Sequence, residues 1–391
     1  MIKSTMATSF QGYIEGTGGR EPQEESIVEE GIEDPRLRKV GIVVEKLVRF
    51  LAKHVDPSLE EIVGLFGTDG LNLVEILKEI DRELEEFEEI RAPQLLTQER
   101  IHKVIFIKGV PNALWRLDAG VYGYLKQIIR ILITALIQAS KKGEKNRIEF
   151  KEIPWVLKSG SHPTLGEKAH LHVRGMAEYP RAYQNEEHFK ERILNNVLCE
   201  FIMAALDKED NILQESILEA IRDNDVAFIN EILKDTGEKK VETILWLLGH
   251  SFGPKIILDA LLKMKRMGIK LPKNVKIVMG GFAPALNPKL CGIKFLQKLS
   301  PETTPAELEE VLEMVDGAFY AGLEPDQLFG VPQIDPTKFK HVKIVELKGR
   351  KWERRGLILA HMSAMTNPEI LDEWRSFIQE LLQDLFAEVE Q

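Results

Sequence analysis

One serine of this chain stands in a setting that can activate a hydroxyl group. Ser251 lies at the centre of the pentapeptide Gly-His-Ser-Phe-Gly at 249–253. The residues before it, 243–248, form a mostly apolar run that predicts a strand buried on both faces of a sheet. Pro254 follows, and apolar residues then recur at helical spacing. The flanking glycines leave room for a strained turn that lifts the serine hydroxyl above the strand ends, where it can act as a nucleophile.

This strand, turn and helix resemble the nucleophile elbow of the α/β-hydrolase superfamily. The pentapeptide is especially similar to the elbow of lipases and carboxylesterases. The resemblance covers about residues 100 to 391 and is most specific at the elbow. It implies an acyl-enzyme on Ser251 and a triad in the chain order serine, acid, histidine. The alternative is a glycine-rich turn that binds a ligand or packs, with Ser251 unreactive.

The resemblance places the catalytic histidine after the last strand and before the final helix. His361 occupies that position, because residues 356–360 have the pattern of a strand and Pro368 opens an amphipathic helix. We therefore expect His361 to be the base that a serine hydroxyl needs at neutral pH. His341, at the start of the preceding strand, would lie at the opposite edge of the sheet.

The acid of the triad is less sharply defined by the sequence. Glu353 is the first candidate, because it follows the predicted strand 341–347 in a position that resembles the family's acid. It is followed directly by Arg354, Arg355 and the next predicted strand, whereas many relatives have a longer excursion there. The alternatives that precede the strand are Asp316, Asp326 and Asp335.

An oxyanion hole needs backbone N–H groups aimed at the developing negative charge. Phe252 supplies the first donor by its position after the serine. The turn at 108–112, after the first predicted strand, resembles the family's second oxyanion loop, and Val110 is its expected donor because Pro111 has no N–H. Lys108 stands where many relatives have a histidine, so an ordinary strand-to-helix turn is an equal alternative.

Strands alternate with longer helical segments from about residue 100 onward. This order predicts an α/β domain with a doubly wound, mostly parallel sheet and an N-terminal helical extension. The predicted strands are 103–107, 147–153, 243–248, 274–279, 341–347 and 356–360. The predicted helices are 120–141, 187–206, 214–233, 254–267, 305–315 and 368–389.

The preceding residues have a different character. Residues 1–35 are rich in Gly, Glu, Ser and Thr and predict a disordered acidic tail. Residues 36–98 predict a helical extension, and 99–391 the hydrolase-like domain with a lid insertion at 155–190. The apolar run 128–139 is interrupted by Arg130 and is too short to span a bilayer, so it predicts a buried helix.

Composition excludes several classes of function. A formal charge of −10 and a pI near 5.6 argue against a general nucleic-acid binder. The two cysteines, Cys199 and Cys291, have no zinc-site spacing, and the pair His170 and His172 lacks a convincing third ligand. The chain has no dinucleotide or phosphate-loop pattern, so we expect no cofactor and no metal. Without a secretory signal pattern at the N-terminus, a cytoplasmic location is expected.

The leading hypothesis is a serine hydrolase that cleaves carboxylic ester-like bonds in a small-molecule or lipid substrate. Thioesterase and acyltransferase chemistry would use the same residues. The alternative hypothesis is a non-catalytic hydrolase-like module that binds a protein or a membrane surface through its N-terminal helices and the basic segment 348–355. The sequence leaves peripheral membrane contact and the oligomeric state open.

Overall fold

A computed structural model describes residues 100–107, 109, 118–139, 146–153, 183, 186–237, 241–286, 303–326, 330–349, 360–361, 363–365 and 367–387. The predicted acidic tail, the helical extension and most of the predicted lid insertion lie outside these residues. The described strands are β1 (Arg100–Ile107), β2 (Asn146–Glu152), β3 (Glu242–His250), β4 (Val275–Phe282), β5 (Gly317–Leu323) and β6 (Val342–Leu347). The described helices are α1 (Asp118–Ala139), α2 (Glu187–Leu206), α3 (Asn211–Asp223), α4 (Val226–Gly237), α5 (Gly253–Met267), α6 (Pro305–Leu312) and α7 (Pro368–Ala387), with a 3₁₀ turn at Pro336–Lys338.

The six described strands form one sheet in the order β2-β1-β3-β4-β5-β6, and every neighbouring pair is parallel. Parallel pairing requires a crossover between strands, and the described helices supply crossovers on both faces. The predicted doubly wound α/β sheet is therefore confirmed. Because β3 lies between β1 and β4, all but the first of its residues are buried.

The alternation of side chains along the strands divides the core into two clusters. Leu245 and Leu247 of β3 face the cluster that is covered mainly by α2, α3, α5 and α6. Ile244, Trp246 and Leu248 face the cluster that is covered by α1 and α7. This period of two is what a strand in the middle of a sheet produces, with a separate apolar layer on each side.

The bounds of several helices follow from their terminal residues. In α5, Pro254 stands in the first turn, and Gly268 ends the helix at a φ of 82°. The predicted helix 214–233 is instead two helices, because Asn224 adopts a φ of 56° and closes α3. Asp225 then accepts a hydrogen bond from the backbone N–H of Phe228 at 3.1 Å as the next helix begins.

The predicted strands miss one strand of the sheet, and one predicted strand does not extend as far as Ala360. The run Gly317–Leu323, which was not predicted as a strand, forms β5 and is completely buried. In the predicted strand 356–360, Ala360 is helical, as is His361, and the other four residues lie outside the described part of the chain. None of the described helices combines the length and apolar character needed to cross a bilayer.

A buried histidine connects β1 to its two neighbouring strands, β2 and β3. His102 of β1 is completely buried, and its Nε2 lies 3.2 Å from Asn146 Oδ1 at the start of β2. Its Nδ1 accepts a hydrogen bond from the indole Nε1–H of Trp246 in β3 at 3.2 Å. Nδ1 can accept only if the proton is on Nε2, so both ring nitrogens are satisfied by the neutral imidazole.

The same burial lowers the pKa of His102 from 6.5 to about 4, with the nearby Arg100 charge adding to the shift and the Asn146 hydrogen bond opposing it. Because the pKa of His102 is lower in the folded protein than in the unfolded chain, its contribution to stability is fully present above pH 6.5. That contribution is lost as the pH falls towards 4.

We predict that His102→Gln flattens the dependence of stability on pH. As the pH falls from 6.5 to 4, the free energy of unfolding should decrease faster for the wild type than for the variant. The difference between the two slopes should be about 1.4 kcal/mol per pH unit. Urea unfolding across this range measures the slopes. His188→Gln, at an exposed position on α2, is the control and should keep the wild-type slope. Equal slopes for wild type and His102→Gln would contradict the prediction.

Candidate active site

Ser251 occupies a sharp turn between β3 and α5. Its φ is 59°, in the left-handed region that residues with a side chain rarely adopt. The strained residue is fixed on both sides, because its N–H donates to Phe282 O at 3.0 Å and its carbonyl accepts from Ala285 N–H at 2.8 Å. The structure therefore places a strained non-glycine residue at the turn between strand and helix.

Two glycines make this turn sterically feasible. A Cβ on Gly249 would lie 2.8 Å from Pro254 Cδ, in the first turn of α5. A Cβ on Gly109 would overlap Ser251 Cβ and lie 2.9 Å from Ser251 Oγ. Gly109 therefore lies directly against the Ser251 side chain. Lys108 and Val110, the expected second oxyanion donor, lie outside the described residues.

His361 and Asp326 form a buried pair. His361 Nδ1 lies 2.8 Å from Asp326 Oδ2, and the side chains are only 8% and 1% exposed. An ionised carboxylate can only accept, so in this contact Nδ1 carries the proton. In a neutral ring that tautomer leaves Nε2 with a lone pair, which is the arrangement that a general base requires.

His250 connects this pair to the turn at Ser251. It directly precedes Ser251, and its ring centroid lies 5.0 Å from that of His361. Its Nε2 lies 3.2 Å from the backbone carbonyl oxygen of His361, a contact in which Nε2–H donates. Burial, together with the neighbouring His361, lowers the pKa of His250 to about 3. His250 is therefore neutral near pH 7. Its hydrogen bond links the backbone of His361 to the position directly before Ser251.

Asp326 reaches the site because it follows β5. Ser251 follows β3 and Asp326 follows β5, so both come from the carboxyl ends of parallel strands, where functional residues of α/β sheets collect. The backbone N–H of Asp326 donates to Leu323 O at 2.9 Å, which turns the chain back immediately after the strand. The sequence did carry a signal for this strand: an uninterrupted run of seven uncharged residues, Gly317–Leu323, just before the carboxylate.

The other candidate acids have different positions. Asp316 Oδ2 accepts from the backbone N–H of Ile277 at 2.8 Å, near the start of β4. Asp335 accepts from Thr337 N–H at 3.0 Å and caps the 3₁₀ turn. Glu353 lies outside the described residues. His341 pairs with Asp384 of α7 at 3.1 Å and precedes β6, at the opposite edge of the sheet from the elbow.

Within the described residues, no group of three or more His, Cys, Asp or Glu side chains could hold a metal ion. His170, His172 and Cys291 lie outside those residues. Cys199 is buried in α2, and burial, together with the Glu200 charge, raises the pKa of its thiol to about 12. Cys199, the one cysteine in the part of the chain that the structure covers, therefore stays a protonated thiol near neutral pH.

No protein-family model and no curated protein matches this chain. Solved structures that it resembles include an esterase from the bacterial hormone-sensitive lipase family, with a TM-score of 0.33, 9% identity, and coverage of 90% of this chain and 99% of that one. Another is ESTFA in its "FE-lacking apo form", with a TM-score of 0.31, 12% identity, and coverage of 90% and 98%. Esterase B from Lactobacillus rhamnosis has a TM-score of 0.28, 11% identity, and coverage of 80% and 99%. Likenesses this weak carry no functional argument.

We predict that the strain at Ser251 can be measured as lost stability. Ser251→Gly should raise the free energy of unfolding by about 1 kcal/mol relative to Ser251→Ala, because glycine adopts a positive φ without steric cost. Chemical denaturation of both variants measures the difference.

Ser216, in the middle of α3, provides the matched control. There the sign should reverse, with the glycine variant about 1 kcal/mol less stable than the alanine variant. If the glycine variant were the less stable one at both positions, the backbone of Ser251 would not be strained.

Proposed function

We propose that this protein is a serine hydrolase that cleaves carboxylic ester-like bonds through an acyl-enzyme on Ser251. The observation that carries the proposal is the buried hydrogen bond of 2.8 Å between His361 Nδ1 and Asp326 Oδ2, adjacent to the elbow. A strained serine alone could be a packing feature. Ser251 directly follows His250, whose ring packs against the carboxylate-oriented imidazole of His361, so this region holds the three groups that nucleophilic catalysis needs.

The proposed reaction begins when Ser251 Oγ attacks the ester carbonyl carbon and gives its proton to His361 Nε2. The C–O bond of the ester then breaks, and the protonated imidazole returns that proton to the departing alcohol. A water molecule attacks the acyl-enzyme with the same histidine as base, and the carboxylic acid leaves as Ser251 is regenerated. Asp326 orients the ring throughout and stabilises its protonated form.

Asp326 is the acid that we assign to this triad. Its chain position between Ser251 and His361 agrees with the order serine, acid, histidine. It is 1% exposed, so its charge acts on the imidazole with little solvent screening. The assignment replaces the first choice from sequence, Glu353, because the described carboxylate at His361 Nδ1 is that of Asp326.

The oxyanion of the tetrahedral intermediate would be held by backbone N–H groups. Phe252 provides one by its position after the nucleophile. The close approach of Gly109 to Ser251 Oγ supports the turn after β1 as the source of the second, for which Val110 remains our proposed donor. Both donors would act at the N-terminal end of α5, where the helix dipole also favours negative charge.

The substrate class that fits this chemistry is a small-molecule or lipid ester. Thioesters react through the same acyl-enzyme, and an acceptor alcohol in place of water would make the reaction an acyl transfer. Within the described residues the site itself supplies a nucleophile, a base and an acid, so the proposed mechanism requires no cofactor.

We predict that Ser251→Ala lowers hydrolysis of a short-chain aryl ester at least about 1000-fold and abolishes labelling by a fluorophosphonate probe. Asp326→Asn should lower kcat by up to about 10,000-fold with little change in KM, because an amide stabilises the wrong imidazole tautomer. Steady-state kinetics and mass spectrometry of the labelled peptide measure these effects.

Asp335→Asn is the matched control, because Asn also caps a helical turn and should preserve both activity and stability. Equal activity of the Asp326 and Asp335 variants would refute the assigned acid. A folded wild-type protein that neither reacts with the probe nor hydrolyses esters would instead support a non-catalytic binding module.

A further inference from the structure

A buried charged network packs against Phe252, the residue that follows Ser251. Lys255 and Asp259, in the first two turns of α5, are 5% and 6% exposed, and Lys255 Nζ donates to Asp259 Oδ1 at 2.7 Å. Tyr183, which is 1% exposed, donates its hydroxyl to Asp259 Oδ2 at 2.9 Å. Lys190 of α2 approaches the same oxygen at 3.8 Å from a partly exposed position.

The stability of the fold does not account for this network. A buried ion pair contributes little net stability, because the cost of removing both charges from water offsets their attraction. Lys255 also places a positive charge in the first turn of α5, at the positive end of the helix dipole. Apolar side chains of similar size would fill this space at lower energetic cost, so a role beyond packing is expected.

The network ends on Phe252. The rings of Tyr183 and Phe252 meet edge to face, with centroids 5.3 Å apart and an interplanar angle of 89°. The Tyr183 hydroxyl is held by Asp259, so this ring has one fixed orientation. Burial, together with the Asp259 charge, raises the pKa of Tyr183, so the phenol stays protonated and continues to donate. Phe252 is completely buried, and its carbonyl accepts from Lys255 N–H at 3.1 Å.

We infer that Tyr183, Asp259 and Lys255 are positioning residues that fix the Phe252 peptide as an oxyanion donor. The inference rests on the proposed function. Tyr183 packs against the Phe252 side chain, its hydroxyl is oriented by Asp259, and Asp259 is held by the Lys255 ammonium group. The Phe252 carbonyl is held separately by the backbone N–H groups at the start of α5. Together they restrict rotation of this residue, and an N–H that must meet a developing charge tolerates little misplacement.

A comparison of oxygen esters with thionoesters tests this role. The thiocarbonyl sulfur is larger and accepts hydrogen bonds more weakly than oxygen, so thionoester cleavage gains less from the oxyanion hole. Tyr183→Phe should lower kcat for the oxygen ester about tenfold with KM nearly unchanged, and should lower thionoester turnover much less. The ratio of kcat/KM for the two substrates should therefore fall several-fold.

Tyr320→Phe is the matched control. Its hydroxyl is also completely buried, but it contacts Met279 Sδ at 3.8 Å within the sheet. Loss of that hydroxyl should leave the substrate ratio at the wild-type value. A purely structural effect of Tyr183→Phe would lower both activities in proportion, and that outcome would overturn the inference.

A triple apolar variant tests the same role without leaving an unpaired buried charge that could prevent folding. Tyr183→Phe combined with Lys255→Met and Asp259→Leu removes the donors and the acceptor together, so this variant should keep a melting temperature near that of the wild type. Its substrate ratio should fall at least as far as that of Tyr183→Phe. An unchanged ratio in this folded variant would overturn the inference while leaving the proposed function intact, whereas a wild type without Ser251-dependent hydrolysis would overturn both.

Discussion

The turn at Ser251 is the constraint on which the rest of the site depends. Holding a non-glycine residue at a φ of 59° costs about 1 to 3 kcal/mol, so the surrounding structure must compensate. It does so through two backbone hydrogen bonds, one to Phe282 at the end of β4 and one from Ala285 just beyond it, and through the immediate start of α5. The same turn leaves room only for glycine at 109 and sets His250 against His361. One strained residue thus aligns elements from distant parts of the chain.

Buried polar groups fix the orientation of side chains on both faces of the sheet. On the side of α1 and α7, neutral His102 links β1, β2 and β3 through hydrogen bonds to Asn146 and Trp246. On the opposite side, Asp259 receives hydrogen bonds from Lys255 and Tyr183. A buried polar group without a partner would be costly, and each of these contacts fixes one orientation in return.

The sequence predicted those parts of the fold that have a strong local signal. The bounds of α2 and α5, and the strand before Ser251, agree with the prediction because apolar periodicity and terminal residues define them. β5 was missed because Gly317, Ala318, Ala321 and Gly322 carry almost none of the β-branched character expected of a strand. That omission also hid the position of Asp326, which was considered only as a residue before a strand. Its contact with His361 depends on the pairing of β5 in the sheet, and no local pattern reports that pairing.

A crystal structure of the protein after reaction with a fluorophosphonate would test the central claim most directly. The account predicts a phosphorus–oxygen bond to Ser251, His361 Nε2 within hydrogen-bond distance of that oxygen, and the Asp326 carboxylate retained on Nδ1. The phosphoryl oxygen should face the backbone N–H of Phe252. An adduct on a different side chain, or a His361 ring turned away from a labelled Ser251, would contradict it.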